Sequence, residues 1–541
     1  MKKLSKLTIL GLAAFALACS SYLDVNKNPN QPTATSPNLV LPQALTTTGR
    51  ILNSFNIYGA QIGGFMANAG GYGGFNEFIT YSYTTNSYDQ FTPVYDNLED
   101  YQYIIDNTAK DATNIYFNAV ATIMRVHNFQ LLVDTYNDVP YSQALQGAKS
   151  LTPVYDKGAT IYPALAVELD SAIARINRGT HMATAPNPLG TYDVVFGGNM
   201  TSWIQLANTI KLRLIIRASS VVTFPNKNFD PAGFLSTDAL VNPGFNKNLN
   251  QQSPSWDTWA FNYQGAAQNK AWIPTTWSMT FYNGTQMLDT MRGKAIYYNF
   301  RRVKYPNTVG KRQVVYGDSI CNQLGFESTI VTACPTGSFW LPSLQSANRV
   351  GISAPDTTGV LKGPDAGVPI ITAAESYFLQ AEAALRSIAI PGSPTAAASY
   401  TNGVTASFKY LYSLPSGSQT GNYAADANKY LTGSNSGNPL VDFSAALSPA
   451  QQLQAIITQK YIALNMVNSN EAWNEYRRTG YPLVSTSSTA ATATFAAITS
   501  HSTRPDRLPT RIPYPTTEFQ YNPSNVPNDI NVFSSLIFWA K

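Results

Sequence analysis

The chain has 541 residues, 44% of them apolar and only 12% charged, with a formal net charge of +5. That length holds a large core and more than one packed unit, and so mild a charge balance gives no electrostatic footprint for nucleic acid. The three histidines, His127, His181 and His501, lie far apart without metal-ligand spacing, and HExxH, GxSxG and phosphate-loop motifs are all missing, so no metal or cofactor is expected.

The amino terminus reads as an export signal over residues 1–18. Lys2, Lys3 and Lys6 form a basic start, and Leu7 to Leu17 form an apolar stretch too short to cross a bilayer. Small residues follow, and then Cys19. A bacterial lipoprotein signal is cut just before a cysteine, which then carries the acyl chains. Here Ala16 and Leu17 stand where the common pattern has leucine and a small residue. An ordinary secretory signal beside an incidental cysteine is the alternative. Taking Cys19 as the anchor, removal of 18 residues leaves 523 and lowers the formal charge from +5 to +2. Multiple acyl chains hold a protein firmly on a membrane, since two lipid signals suffice. Residues 19–38 then form a lipidated tether, kept extended by Asn28-Pro29, Gln31-Pro32 and Ser36-Pro37.

Amphipathic helices come next. They are expected over 39–62, 93–110, 119–136 and 161–176, the last with Ile161, Leu165, Leu169 and Ile173 on one face. Ser202 and Gln205 have the spacing of a capping box before Trp203, Leu206 and Ile210. Near the other end Thr372 with Glu375 opens a helix, as do Ser448, Pro449 and Gln451. A final helix over 470–479 is stopped by Gly480 and Pro482. Strands do not alternate with these helices, so the fold class is mainly α, built of TPR-like helical hairpins. One domain over 39–541 is expected, with its scaffold at about 39–220 and 370–541 and an irregular, loop-rich region at about 221–369.

Long ordered loops on a rigid scaffold carry function more often than packing. Two such stretches are crowded with rings. One holds Trp256, Trp259, Tyr263, Trp272, Trp277 and Tyr282; the other, Gly-rich, holds Tyr72, Tyr81, Tyr83 and Tyr88. Aromatic faces with amide and hydroxyl neighbours suit uncharged polar ligands, sugars above all. These ten rings are the candidate ligand contacts. Cys321 and Cys334 are a candidate disulfide for an oxidising compartment, with two buried thiols as the alternative.

No catalytic residue is assigned. A glycosidase needs only two carboxylates, and Asp134 and Asp138 in LLVDTYNDVPYSQAL are the nearest approach to such a pair. A helix end followed by an Asn137-Asp138 turn explains them without chemistry. Glu471 and Glu475 have Arg477 and Arg478 as partners along their own helix.

Five stretches taken together carry a resemblance: YLDVNKNPNQPTATSPNLVLPQAL after the cysteine, DTYNDVPYSQALQG, ESYFLQAEAALRS, QKYIALNMVNSNEAWNEYRRTGYP and LPTRIPYPTTEFQYNPSNV. In order and spacing this chain resembles the SusD/RagB family of nutrient-binding outer-membrane lipoproteins of Bacteroidota. The resemblance implies an α-helical, TPR-like scaffold with a large irregular part, and a lipid anchor at Cys19 on the cell surface. It also implies a SusC-like TonB-dependent transporter as partner, and a captured oligosaccharide or, as in RagB, a peptide. Ligand residues vary within the family, so the ten rings stay a physical choice.

Overall fold

The computed structural model describes residues 36–304, 313–326, 338–341 and 358–541. Cys19, residues 19–35 of its tether and Cys334 lie outside them. Pro37 and Asn38, expected at the end of the extended tether, instead open the first helix, with proline at its first turn. The helices of the first half are α1 (Pro37–Ile62), α2 (Asn76–Thr80), α3 (Thr92–Thr108), α4 (Ile115–Tyr136), α5 (Gly158–Gly179) and α6 (Met200–Ala218). The irregular region contributes α7 (Pro254–Trp259), α8 (Thr276–Met279) and α9 (Thr290–Ile296). The last part holds α10 (Ala373–Leu385), α11 (Ala396–Tyr412), α12 (Tyr423–Thr432), α13 (Pro449–Leu464), α14 (Ser469–Thr479) and α15 (Thr516–Tyr521).

Strands are short and paired in twos, all antiparallel. They are β1 (Met66–Asn68) with β5 (Trp272–Pro274), β2 (Val139–Pro140) with β3 (Tyr155–Asp156), β4 (Ala239–Val241) with β8 (Val368–Ile371), and β6 (Arg301–Lys304) with β7 (Gln313–Tyr316). Such pairs cannot stand alone in water. Each is carried by the helices it packs against.

Consecutive helices pack as hairpins: α3 on α4, α4 on α5, α5 on α6, α10 on α11 and α13 on α14. The two halves meet where α1 crosses α14 and where α10, itself packed on α13, lies against α6. The α1–α14 crossing depends on a missing side chain. A Cβ on Gly59 would lie 2.0 Å from the backbone nitrogen of Asn470, so only glycine lets the two backbones approach so closely.

Caps explain several helix ends. Ser448 Oγ accepts from the Gln451 amide, and the Gln451 side chain accepts from the Ser448 amide, a complete capping box. Gly480 closes α14 in the left-handed conformation at φ 79°. The Ser202–Gln205 box does not form. The helix begins earlier, and Asn199 caps it by accepting from the Ser202 amide at 3.1 Å. Asparagine caps as well as serine does, and Gln205 is free to donate to the Ala232 carbonyl at 3.0 Å.

Thr372 caps α10 through the Glu375 amide, but the Glu375 carboxylate turns inward instead of returning to the cap. It meets Arg213 at 3.0 Å in a buried ionic cluster at the junction of α4, α6, α10, α13 and α14. Arg217 binds Asp134 and Glu471, with Glu475 at 3.4 Å. Lys460 lies 3.3 Å from both Glu471 and Glu475, and Arg478 bridges Glu475 to Glu382, the latter at 2.7 Å. Burial alone would raise the Glu475 carboxyl, yet Arg478, Lys460 and Arg217 outweigh it and hold the group well below its usual range. Arg477 behaves differently: its guanidinium donates to the Thr510 and Asp134 carbonyls and to the Asn474 side chain.

His127 is packed beside this cluster, and burial, then the Arg213 charge, pushes its ring down to about 3. Its folded pKa therefore lies below the unfolded value. The stability linked to it is complete above about pH 6.5 and is lost as the pH falls through the folded value. Urea titrations at two pH values check this. Between about pH 6.5 and 4.5, His127→Asn is expected to remove about 2 kcal/mol of the wild-type acid-induced loss. Equal losses in both proteins would show that the ring does not carry it.

Candidate ligand-binding face

Two loop regions meet at the β1–β5 pair. Asn68 faces Trp272 in register, and the Ala69 amide donates to the Ala271 carbonyl at 2.8 Å. Asn68, fully buried, ties in a third loop: its carbonyl accepts from the Asn322 side chain at 3.1 Å and its Oδ1 from the Gly325 amide at 2.8 Å. One buried asparagine, through its backbone and its side chain, thus fixes the Gly-rich segment, β5 and residues 322–326 against one another.

Beyond β1 the chain runs out as Gly70-Gly71-Tyr72-Gly73-Gly74, with Gly71 and Gly74 at φ 82° and 86°. A Cβ at either would meet nothing, so these glycines serve the backbone conformation and not a tight contact. Tyr72 on this loop is 37% exposed. Trp272 is half-buried, with Phe75 against it edge-on at 5.0 Å and Phe78 at 6.3 Å. Its ring is propped from behind while part of it remains open. Tyr263 stands at 36% exposure on the turn closed by the Phe261–Ala267 bridge, and the Asn262 side chain shapes that turn by accepting from the Gln264 and Ala266 amides. Phe326, not anticipated from the sequence, is 43% exposed on the third loop. A phenylalanine left in water beside a stretch of polar residues was the available signal.

Most of the other candidate rings belong to the core. Trp256, Trp259, Trp277, Tyr282, Tyr81 and Tyr83 are buried, so none offers a face to a ligand in this conformation. Trp259 packs edge-on against Trp340 at 5.7 Å, and Trp277 lies against Phe281 at 5.4 Å and Phe495 at 5.9 Å. The Tyr282 hydroxyl accepts from Asn465 at 3.0 Å and the Tyr81 hydroxyl from the Ala497 amide at 3.0 Å. The physical reason is general. An irregular segment has few backbone ladders and is held on its scaffold by large rings, each burying about 150–250 Å². Tyr88 is intermediate, half-buried with its hydroxyl on Gln61 at 2.7 Å.

The carboxylates singled out earlier are committed to structure. Asp134 is buried and accepts from Tyr162, Arg217 and the Trp539 indole. Asp138 accepts from Lys157 at 2.7 Å and from the Gly158 amide at 3.1 Å, just after Asn137 turns the chain at φ 68°. Cys321 is a buried free thiol that donates to the Gly317 carbonyl at 3.1 Å, and burial raises it to about 11. Its candidate partner Cys334 lies outside the described residues. Among the described residues no cluster of histidine, cysteine and carboxylate could hold a metal ion, and no helix is long and apolar enough to cross a membrane.

Solved structures share this architecture. A SusD homolog from Bacteroides uniformis is 21% identical, with a TM-score of 0.63 over 93% of this chain and 99% of its own. A Bacteroidetes protein described as AC2a SusD-like gives 0.65 at 19% identity, over 94% of this chain and all of its own. A chitin-binding SusD homolog from Flavobacterium johnsoniae gives 0.59 at 20% identity, over 92% and 98%. None of the curated proteins matches the chain. The sequence model of one family, SusD-like_2, described as starch-binding and associating with outer membrane, matches residues 29–515. With that match over nearly its whole length and a helical, TPR-like fold common to solved SusD homologs, the chain belongs to the SusD-like family.

Proposed function

We propose that this protein is a non-catalytic, cell-surface nutrient-binding lipoprotein. Acylated Cys19 anchors it to the outer membrane, and it hands captured oligosaccharide to a SusC-like TonB-dependent transporter. The observation that carries the reading is Trp272: a half-open indole, braced by Phe75 and Phe78, with Tyr72 and Tyr263 exposed on the adjoining loops. Stacking on such a ring, with amide and hydroxyl groups nearby, is how sugars are held without charge. The starch-binding description of the family and the chitin-binding relative favour a glycan over a peptide.

Calorimetry tests this with protein starting after Cys19, titrated with starch- and chitin-derived oligosaccharides and with peptides. Saturable binding of an oligosaccharide that stays uncleaved is the expected result. Binding of peptides alone would move the reading to the RagB kind, and steady release of reducing ends would end it. Cys19→Ala is expected to abolish palmitate incorporation and release the protein from the membrane fraction. Labelling that persists would place the anchor elsewhere.

A further inference from the structure

A cleft of about 400 Å³ lies between α3, the loop 140–153 and α15, and no residue of β1 or β5 lines it. The loop belongs to the DTYNDVPYSQALQG motif, whose first half is buried scaffold and whose second half stands out of the surface. It is held rigidly. The Asp156 carboxylate accepts from the Tyr141 and Ser142 amides at 3.0 and 2.8 Å, and the Val154 amide donates to the Gln143 side chain at 3.2 Å. Leu145, which lines the cleft, is kept at φ 61°, a left-handed conformation that a leucine rarely adopts. On the far side, Asn522 and Asn525 donate to the Pro153 and Thr152 carbonyls and dock α15 against the loop.

The cleft differs from the face around Trp272 in its charge and in the aliphatic residues at its rim. Its apolar residues include the aliphatic Leu145 and Leu151, and the rim leaves Leu151 at 79% and Tyr521 at 74% exposure. Asp96, Glu99 and Glu518 supply three carboxylates, and no lysine or arginine is among the lining residues. Partial burial, then Asp106, Asp100 and Asp96, raise the Glu99 carboxyl, so its acidic neighbours add to the effect of burial. Glu518 is fixed in place by the Tyr155 hydroxyl. The chain as a whole is formally positive, so this is a local reversal of sign.

We propose that the cleft docks a protein partner through an apolar side chain flanked by lysine or arginine. Phe91, Tyr95 and Leu145 take the apolar anchor, and the carboxylates on α3 and α15 select and orient the flanking cations. This goes beyond the nutrient-binding reading, because it uses other elements and another class of ligand. A neutral saccharide carries no cation to pair with the three carboxylates, whereas a lysine or arginine does.

The test uses the purified full chain in detergent and two fluorescein-labelled, capped pentapeptides, Lys-Leu-Trp-Leu-Lys and Glu-Leu-Trp-Leu-Glu, followed by anisotropy. The lysine peptide is expected to saturate, to weaken as NaCl rises from about 50 to about 500 mM, and to exceed the glutamate peptide by at least about tenfold. The pair Asp96→Asn with Glu99→Gln, and separately Leu151→Ser with Tyr521→Ala, should each weaken it about fivefold to tenfold. All four positions are exposed, so folding is not at stake. Chitohexaose binding should be unchanged in both variants. No saturable binding of the lysine peptide, equal binding of the two peptides, or binding indifferent to both pairs of substitutions overturns the proposal. So does chitohexaose binding that disappears with Tyr521→Ala.

Discussion

Arg217→Met is expected to lower the free energy of unfolding by about 3–5 kcal/mol, enough to leave much of the protein unfolded at physiological temperature. Arg217 is fully buried, binds Asp134 and Glu471, and has Glu475 at 3.4 Å, while its guanidinium also lies over the Trp539 ring at 5.2 Å. Methionine fills much of the volume but leaves buried carboxylates facing one another. The loss comes from that uncompensated charge and not from a cavity. The comparison that isolates it is a second variant, Arg217→Met combined with Asp134→Asn and Glu471→Gln, which removes charge on both sides. It should recover a substantial part of the loss, because replacing a whole buried ionic group is far milder than breaking it. Urea unfolding of the three proteins measures both steps. If the single substitution costs under about 1 kcal/mol, the cluster is not what joins the two halves. If the triple variant is no better than the single one, packing and not charge is responsible.

The helices were legible because a buried stripe repeats with the turn of the helix and because caps have local chemistry. Ser448 with Gln451, and Gly480 after Arg478, act within a few residues of one another, and both ends fall where the sequence places them. Asn199 was overlooked because Ser202 and Gln205 mimic the same spacing three residues on. The ionic cluster was hidden for a different reason. Glu471, Glu475, Arg477 and Arg478 look like partners along one helix, yet Arg217 reaches Asp134 across 83 residues and Glu471 across 254. Nothing local encodes those contacts. The aromatic loops were legible as a region and not as residues. A tryptophan that pins a loop to its scaffold and one that waits for a ligand have the same neighbours in sequence, and only burial separates Trp277 from Trp272.

That separation makes the second large prediction. Trp277→Ala is expected to cost about 3–5 kcal/mol of stability, since the ring is buried against Phe281 and Phe495 and its removal leaves a void that close-packed neighbours cannot fill. Trp272→Ala should cost far less stability, because part of that ring already faces water, but about 1–2 kcal/mol of oligosaccharide affinity, or roughly tenfold in Kd. Thermal unfolding and calorimetry on the same two variants give four numbers whose pattern matters more than their size. Stability should fall with one substitution and affinity with the other. Tyr263→Ala and Tyr72→Ala, exposed on the flanking loops, should resemble Trp272→Ala at smaller magnitude. An unchanged Kd for Trp272→Ala would mean that the half-open indole is only a prop for Phe75 and Phe78. In that case the ligand face would have to be sought on another part of the irregular region.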